Sequence, residues 1–277
     1  MKNLLKNQKW NSLLYGVLAA LVALVWVYPF VIVVVNSLKT KRGIFSNPLW
    51  FTHDFTVDNF VTAYQALDFT HSFVNSLLIT VGSVVLITAV SAAAAYALTR
   101  HQVKMSSFVY YLCAATMLVP FQSIMIPLVS MFGSMNFLNR TALILMNTGL
   151  SVSLSVILYY GAFQGVPKSM DEAAKLDGAS SFRVFADVVL PAVNPMTGTV
   201  IILNAMKLWN DYLLPSLVVN KNGMYTIPLK MYMFFGETNS EWQLALAGLV
   251  LSMIPIIILF LLLQKQVMSS VTEGAIK

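Results

Sequence analysis

Charge is scarce in this chain. Asp, Glu, Lys and Arg make up 10% of its 277 residues, where a soluble domain carries about 25%. Together with 58% hydrophobic residues and a mean hydropathy of +0.74, that deficit excludes a water-soluble fold. Cysteine is scarcer still: a lone Cys113 excludes an intrachain disulfide, a Cys-rich zinc site and an iron–sulfur cluster. His53, His71 and His101 show no metal-ligand spacing, which argues against an intramembrane hydrolase. No G-x-x-x-x-G-K-[ST] phosphate loop occurs, so the chain is not a nucleotide hydrolase of that kind. Carboxylates inside the apolar stretches reduce to Asp211, with Lys207 beside it, and an ion-coupled secondary transporter is thereby left short of coupling groups.

What the sequence does have is long apolar runs. Residues 12–38 carry no charge, too long a run for a signal-peptide core, and are read as a retained first helix. Further runs cover residues 72–99, 107–139, 141–166 and 244–264, and a sixth, 196–220, is interrupted by Lys207 and Asp211. Each is long enough for a bilayer core of about 30 Å. The expected fold is an all-α integral membrane protein of six transmembrane helices, residues 1–277 forming a single membrane domain. Six crossings place ten Lys and Arg on the side of both termini and six on the other, which favours cytoplasmic termini. The net charge of +6 is spread over loops and suits anionic membrane lipids rather than nucleic acid.

Two segments fall outside. Residues 39–71 include Asn47, Pro48, Trp50, Phe51, Phe55 and Phe60, an aromatic set expected at the membrane interface. Residues 221–243 begin with a turn at Asn222 and Gly223 and continue to Glu237 and Glu241.

Several helices are built for kinking or close approach. Pro120 and Pro127 flank Gln122 and Ser123; each proline frees a carbonyl that must find a partner in protein or water. Ser91 and Ala92 to Ala95 allow close helix packing. Lys207 and Asp211 stand four apart on one helical face, either as a buried pair that neutralises itself or as lining of a wet cavity.

The most informative stretch is the polar segment 165–195, expected to form two short cytoplasmic helices. Ser169 can cap the first, with Glu172 three residues on completing a capping box, and Gly178 stops it. Ala173 and Ala174 give it a smooth face suited to a groove on another protein. Ser180 or Ser181 starts the second helix, which presents Phe182, Phe185 and Val189 on one face and is halted by Pro191.

The string Glu172-Ala173-Ala174, three residues, Gly178, nine residues, then Val188-Val189-Leu190-Pro191 resembles the EAA loop of bacterial ABC importer permeases; the family pattern usually has isoleucine at the place of Val188. Trp209-Asn210-Asp211-Tyr212-Leu213-Leu214-Pro215 resembles a stretch common in carbohydrate-importing members. The tail 264–277, with Gly274, Ala275 and Ile276, is similar to that of the maltose-type smaller permease. The resemblance implies the type I importer permease fold and half of a membrane pathway for a sugar or oligosaccharide. It also implies a second, related permease, two ATPase subunits that bind ATP and Mg, and an extracellular or periplasmic solute-binding protein, with no cofactor in this chain. Glu172, Ala173, Ala174, Gly178, Leu190 and Pro191 would then engage the ATPase, the 221–243 loop would probe the binding protein, and the chain would lie in the bacterial cell membrane.

Sugars are held by aromatic faces and hydrogen-bonding side chains. Asn75, Gln122, Asn147, Asn204, Trp209 and Asn210 are the candidates, each with an alternative role in holding helices together or sitting at the interface. A phosphorylated or polyol solute within the same importer class is the runner-up.

Overall fold

A computed structural model describes residues 2–51, 54–100, 104–235 and 240–275; His53, His101, Glu237, Ile276 and Lys277 lie outside them. Apolar runs in lipid must close their backbone hydrogen bonds within the segment, and the described residues are helical almost throughout, with two isolated bridges and no strand. In chain order the helices are α1 (Lys2–Ser37), α2 (Lys41–Ser46), α3 (Asp58–Ala66), α4 (Phe69–Arg100), α5 (Lys104–Thr116), α6 (Phe121–Ser134) and α7 (Arg140–Gln164). There follow α8 (Lys168–Leu176), α9 (Ser181–Ala192), α10 (Asn194–Trp209), α11 (Leu213–Val218), α12 (Ile227–Met231) and α13 (Trp242–Ala275).

Four of these contain stretches long and apolar enough to cross a membrane: Leu14–Ser37 of α1, all of α4 and α7, and Trp242–Lys265 of α13. Two bent pairs pass the same test jointly, Met105–Thr116 with α6 at 101° and α9 with α10 at 80°, which makes six crossings when each pair counts as one.

The bends depart from the straight runs read in the sequence. The kink expected at Pro120 is a full break: Met117, Leu118 and Val119 close tight turns on Ala114, Ala115 and Thr116, and Pro120, with no N–H to give, opens α6. Pro191 does not halt the second polar helix. Residues Val184–Val189 form a π turn in which the Leu190 N–H reaches back to Phe185 O. That widened turn admits a proline ring that would clash in a regular helix. The chain then bends at Val193, and the run 196–220 breaks again at Asn210–Tyr212 before α11.

The chain packs as two compact units, one of residues up to Phe69 with Met231–Met253, the other of Thr70–Lys230 with the residues from Ile254. In the first unit residues 14–31 of α1 are exposed all round, as befits a helix facing lipid, and only its last turn, Val35 to Ser37, is buried. Beyond it the chain folds back around Lys39, which is fully buried. Its ammonium donates to Asn36 Oδ1 (2.9 Å), to Asn47 O (2.8 Å) and to Trp50 O, while Asn59 Nδ2 ties Ser37 O and Lys39 O. Burial holds the Lys39 pKa below the ordinary lysine value. The aromatic residues Trp50, Phe51 and Phe55 are left exposed around this knot.

In the second unit α4 buries small residues along one face, Ser72, Ser76, Thr80, Ser83, Ser91, Ala92, Ala95 and Thr99 among them. Small side chains let backbones approach closely, and Ala92 and Ala95 pack into a core with Val156, Tyr159, Phe163, Val184 and Val189. That core supports everything described next.

Candidate functional site

Helix α8 starts two residues too early for the capping box. Pro167 stands at its N-cap, extended and without a side-chain hydrogen bond, so Ser169 lies inside the first turn and does not cap. The end follows expectation. Gly178 adopts φ +83°, and the N–H groups of Asp177, Gly178 and Ala179 close on the carbonyls of Ala173, Lys175 and Ala174, a left-handed stop that costs glycine least. Ser180 caps α9 by accepting from the Arg183 N–H.

Only Asp171 and Ala174 of α8 are buried. Glu172 and Ala173 face outwards, and Leu176 is 89% exposed, as is 74% of Phe182 at the start of α9. Leu190 packs on the core that receives Ala174, and Pro191 is exposed. The segment therefore exposes Ala173 and Leu176 on α8 and Phe182 on α9, while Asp171 and Ala174 fix the inner side of α8.

What fixes it is an ion pair that sequence reading missed. Arg100, the last residue of α4, grips Asp171 in bidentate fashion, Nε to Oδ2 at 3.0 Å and Nη2 to Oδ1 at 2.9 Å. The same guanidinium reaches Val166 O (3.3 Å) and Phe163 O (3.5 Å), at the end of α7 where carbonyls lack helical partners. Tyr96, one turn back on α4, donates its hydroxyl to Asp171 Oδ2 at 2.8 Å. Both charged side chains are about nine-tenths buried. Planar, five-donor geometry makes arginine the residue for this task. The visible signal was a lone cation closing an apolar helix; its partner lies 71 positions away.

A cavity of about 520 Å³ opens among α5, α6, α7, α10 and α11. Of the residues proposed for the pathway, Gln122, Asn147, Lys207 and Asp211 line it, joined by Thr116, Ser151 and Ser153. Lys207 and Asp211 are not bonded to each other. Lys207 is exposed and donates to Ser151 Oγ at 3.1 Å, while Asp211 Oδ1 accepts from the Leu213 N–H at 3.0 Å. The reason is the break after Trp209: Asp211 lies beyond the end of α10 and bonds the Leu213 N–H two residues on, so the helical spacing that would have stacked the two no longer applies.

The other candidates are engaged elsewhere. Asn204 Nδ2 donates to Ser155 Oγ (3.0 Å) and Val200 O (2.8 Å) in the interior. Trp209 is buried, its ring 5.7 Å edge-on from Phe73, and Asn210 Nδ2 donates to Met206 O. Asn75 Nδ2 donates to Gly223 O and Tyr225 O (3.1 and 3.0 Å). With Arg140 Nη2 donating to Gly223 O and the Ile227 N–H donating to Ser76 Oγ, it fastens the turn around Gly223, whose φ is +78°.

Known proteins resemble this chain over nearly its whole length. Residues 85–272 match the family of binding-protein-dependent transport system inner membrane components. A probable starch degradation products transport system permease protein, AmyC, of Thermoanaerobacterium thermosulfurigenes is 44% identical over 94% of this chain and 95% of its own. The melibiose/raffinose/stachyose import permease protein MelC of Bacillus subtilis is 34% identical over 94% and 95%. Among solved structures, a chain of a bacterial ABC transporter involved in import of the acidic polysaccharide alginate superposes with a TM-score of 0.77 over 93% of this chain and 96% of that one, at 23% identity.

Proposed function

The chain belongs to the family of binding-protein-dependent transport system inner membrane components, and on that premise we propose that it forms half of the membrane pathway of an ATP-driven importer for a sugar or oligosaccharide. It is a transport permease and not an enzyme. The observation that carries the reading is α8, a capped helix with Glu172, Ala173 and Leu176 outward and its back pinned by Asp171. Such a helix fits a cleft on an ATPase, Gly178 turning the chain out of the contact. Leu190 packs on the core that receives Ala174, and the exposed Pro191 joins the ATPase contact.

The complete importer pairs residues 1–277 with a second, related permease, two ATPases that bind ATP and Mg on the cytoplasmic side, and an external solute-binding protein. Both termini are cytoplasmic, in keeping with the lysine and arginine balance. The cavity holding Gln122, Asn147, Ser151, Lys207 and Asp211 is the polar surface along which hydroxylated solute passes, and the relatives that transport starch products and raffinose-type sugars favour carbohydrate as cargo. The turn around Gly223 faces the binding protein. ATP binding shifts the population between inward- and outward-open states to the extent that it binds one of them better.

The test is co-purification of the tagged chain with its native neighbours from mild detergent, followed by uptake into liposomes. A second permease, an ATPase and a binding protein are expected, with ATP-dependent sugar uptake that Glu172→Ala lowers while expression holds. Purification as a homo-oligomer whose uptake follows an ion gradient would overturn the proposal.

A further inference from the structure

We infer that Arg100, Asp171 and Tyr96 are positioning residues that make α8 move as one body with α4 and α7, so that displacement of α8 by its partner is delivered to the membrane helices instead of being absorbed in the loops. The inference rests on the coupling role proposed for α8.

The case begins with what else holds this helix, its packing on the Val184–Val189 turn of α9. It has nine residues, two of them buried, and it is joined on one side through the tight turn at Gly165 and Val166 and on the other through Gly178. Loops of this kind yield when pushed. Against that, the Arg100 guanidinium spends its donors on three places at once: the Asp171 carboxylate, Val166 O and Phe163 O. One side chain on α4 therefore ties the end of α7 to the first turn of α8. Tyr96 adds a second strand to the tie through its hydroxyl, and its ring stands 5.9 Å from Phe163 and 5.1 Å from Phe185, bringing in α9. The Arg100 cation also lies 5.7 Å from the Tyr96 ring centre, within cation–π range. Four helices meet at one buried carboxylate. Packed, fully bonded groups of this sort shift together between discrete arrangements rather than deforming gradually.

The test uses the complete importer in liposomes and reads ATP hydrolysed per solute moved, with recovery of the ATPase on the tagged permease as the control for assembly. Arg100→Ala and Asp171→Asn are expected to keep the ATPase bound while raising that ratio about tenfold, in the usual range of coupling between sites. Arg100→Lys, which keeps the charge but not the two-pronged grip, should fall between these and wild type. A spin label at Lys168→Cys, in a Cys113→Ser background, should become more mobile than in the parent once Arg100 is replaced. If Arg100→Ala assembles with unchanged ratio and unchanged label mobility, the inference fails and the cluster is structural only. If Arg100→Ala does not reach the membrane, Tyr96→Phe decides by the same two readouts, since it removes one bond and leaves the ion pair. Failure of the parent permease to recover any ATPase would instead overturn the coupling role itself.

Discussion

Two places in the second unit hold a basic and an acidic residue on neighbouring elements, and they use them in opposite ways. Arg100 and Asp171 are far apart in sequence, buried, and locked together at 2.9 Å. Lys207 and Asp211 are four residues apart, reach into an open cavity, and bond to other groups. Where the structure needs a fixed joint, charge is neutralised within the protein and water is shut out. At the cavity the Lys207 ammonium donates to Ser151 and the Asp211 carboxylate accepts from backbone N–H at the start of α11, with no ion pair between them.

The comparison predicts its largest effect at the joint. Asp171→Ala strands a buried guanidinium and should destabilise the purified permease by about 3–5 kcal/mol, whereas Arg100→Met with Asp171→Leu, which removes both charges, should cost far less. Thermal unfolding in detergent of the two singles and the double decides this. A double variant as unstable as the sum of the singles would mean that the pair carries no mutual dependence, and the contrast with the cavity would collapse.

At the cavity the same cycle should come out flat. Asp211→Ala loses its hydrogen bond from the Leu213 N–H and Lys207→Met loses one to Ser151, each about 1 kcal/mol. With no bond between them, the double variant should match the sum to within about 0.5 kcal/mol, even as either single lowers uptake. A coupling energy well above that would show that the two residues do pair.

How far these places could be read in advance follows from what each depends on. Crossing segments, the α8 stop at Gly178 and the Ser180 cap are local properties, written in runs of apolar residues and in backbone chemistry. Pro120 marked the break at residues 117–120, but the break at 210–212 is not local in this sense, because composition over a long window stays apolar whether or not the helix within it is continuous. That continuity was the hidden premise behind stacking Lys207 on Asp211. The amides teach a related lesson. Asn75, Gln122, Asn147 and Asn204 look alike in sequence, yet Gln122 and Asn147 line the cavity while Asn75 and Asn204 spend their donors on Gly223, Tyr225, Ser155 and Val200. An amide states that it needs a partner and leaves open whether that partner is protein or solute. Lys39 is the sharpest case: counted among the external charges, it is enclosed by three oxygen acceptors.

The smallest effect isolates burial from pairing. Lys41 and Glu241, in the first unit, form an ion pair at 3.3 Å, but their side chains are 38% and 35% exposed. Solvent screens such a pair and side-chain entropy opposes it, so Glu241→Gln should change stability by less than about 1 kcal/mol. Added salt should erase even that difference, since at 1 M the screening length falls to about 3 Å. The Asp171 effect should survive the same salt because water and ions do not reach the pair. Melting curves of both variants at low and high salt make the comparison directly, and equal salt sensitivity would show that the Arg100–Asp171 joint is open to solvent after all.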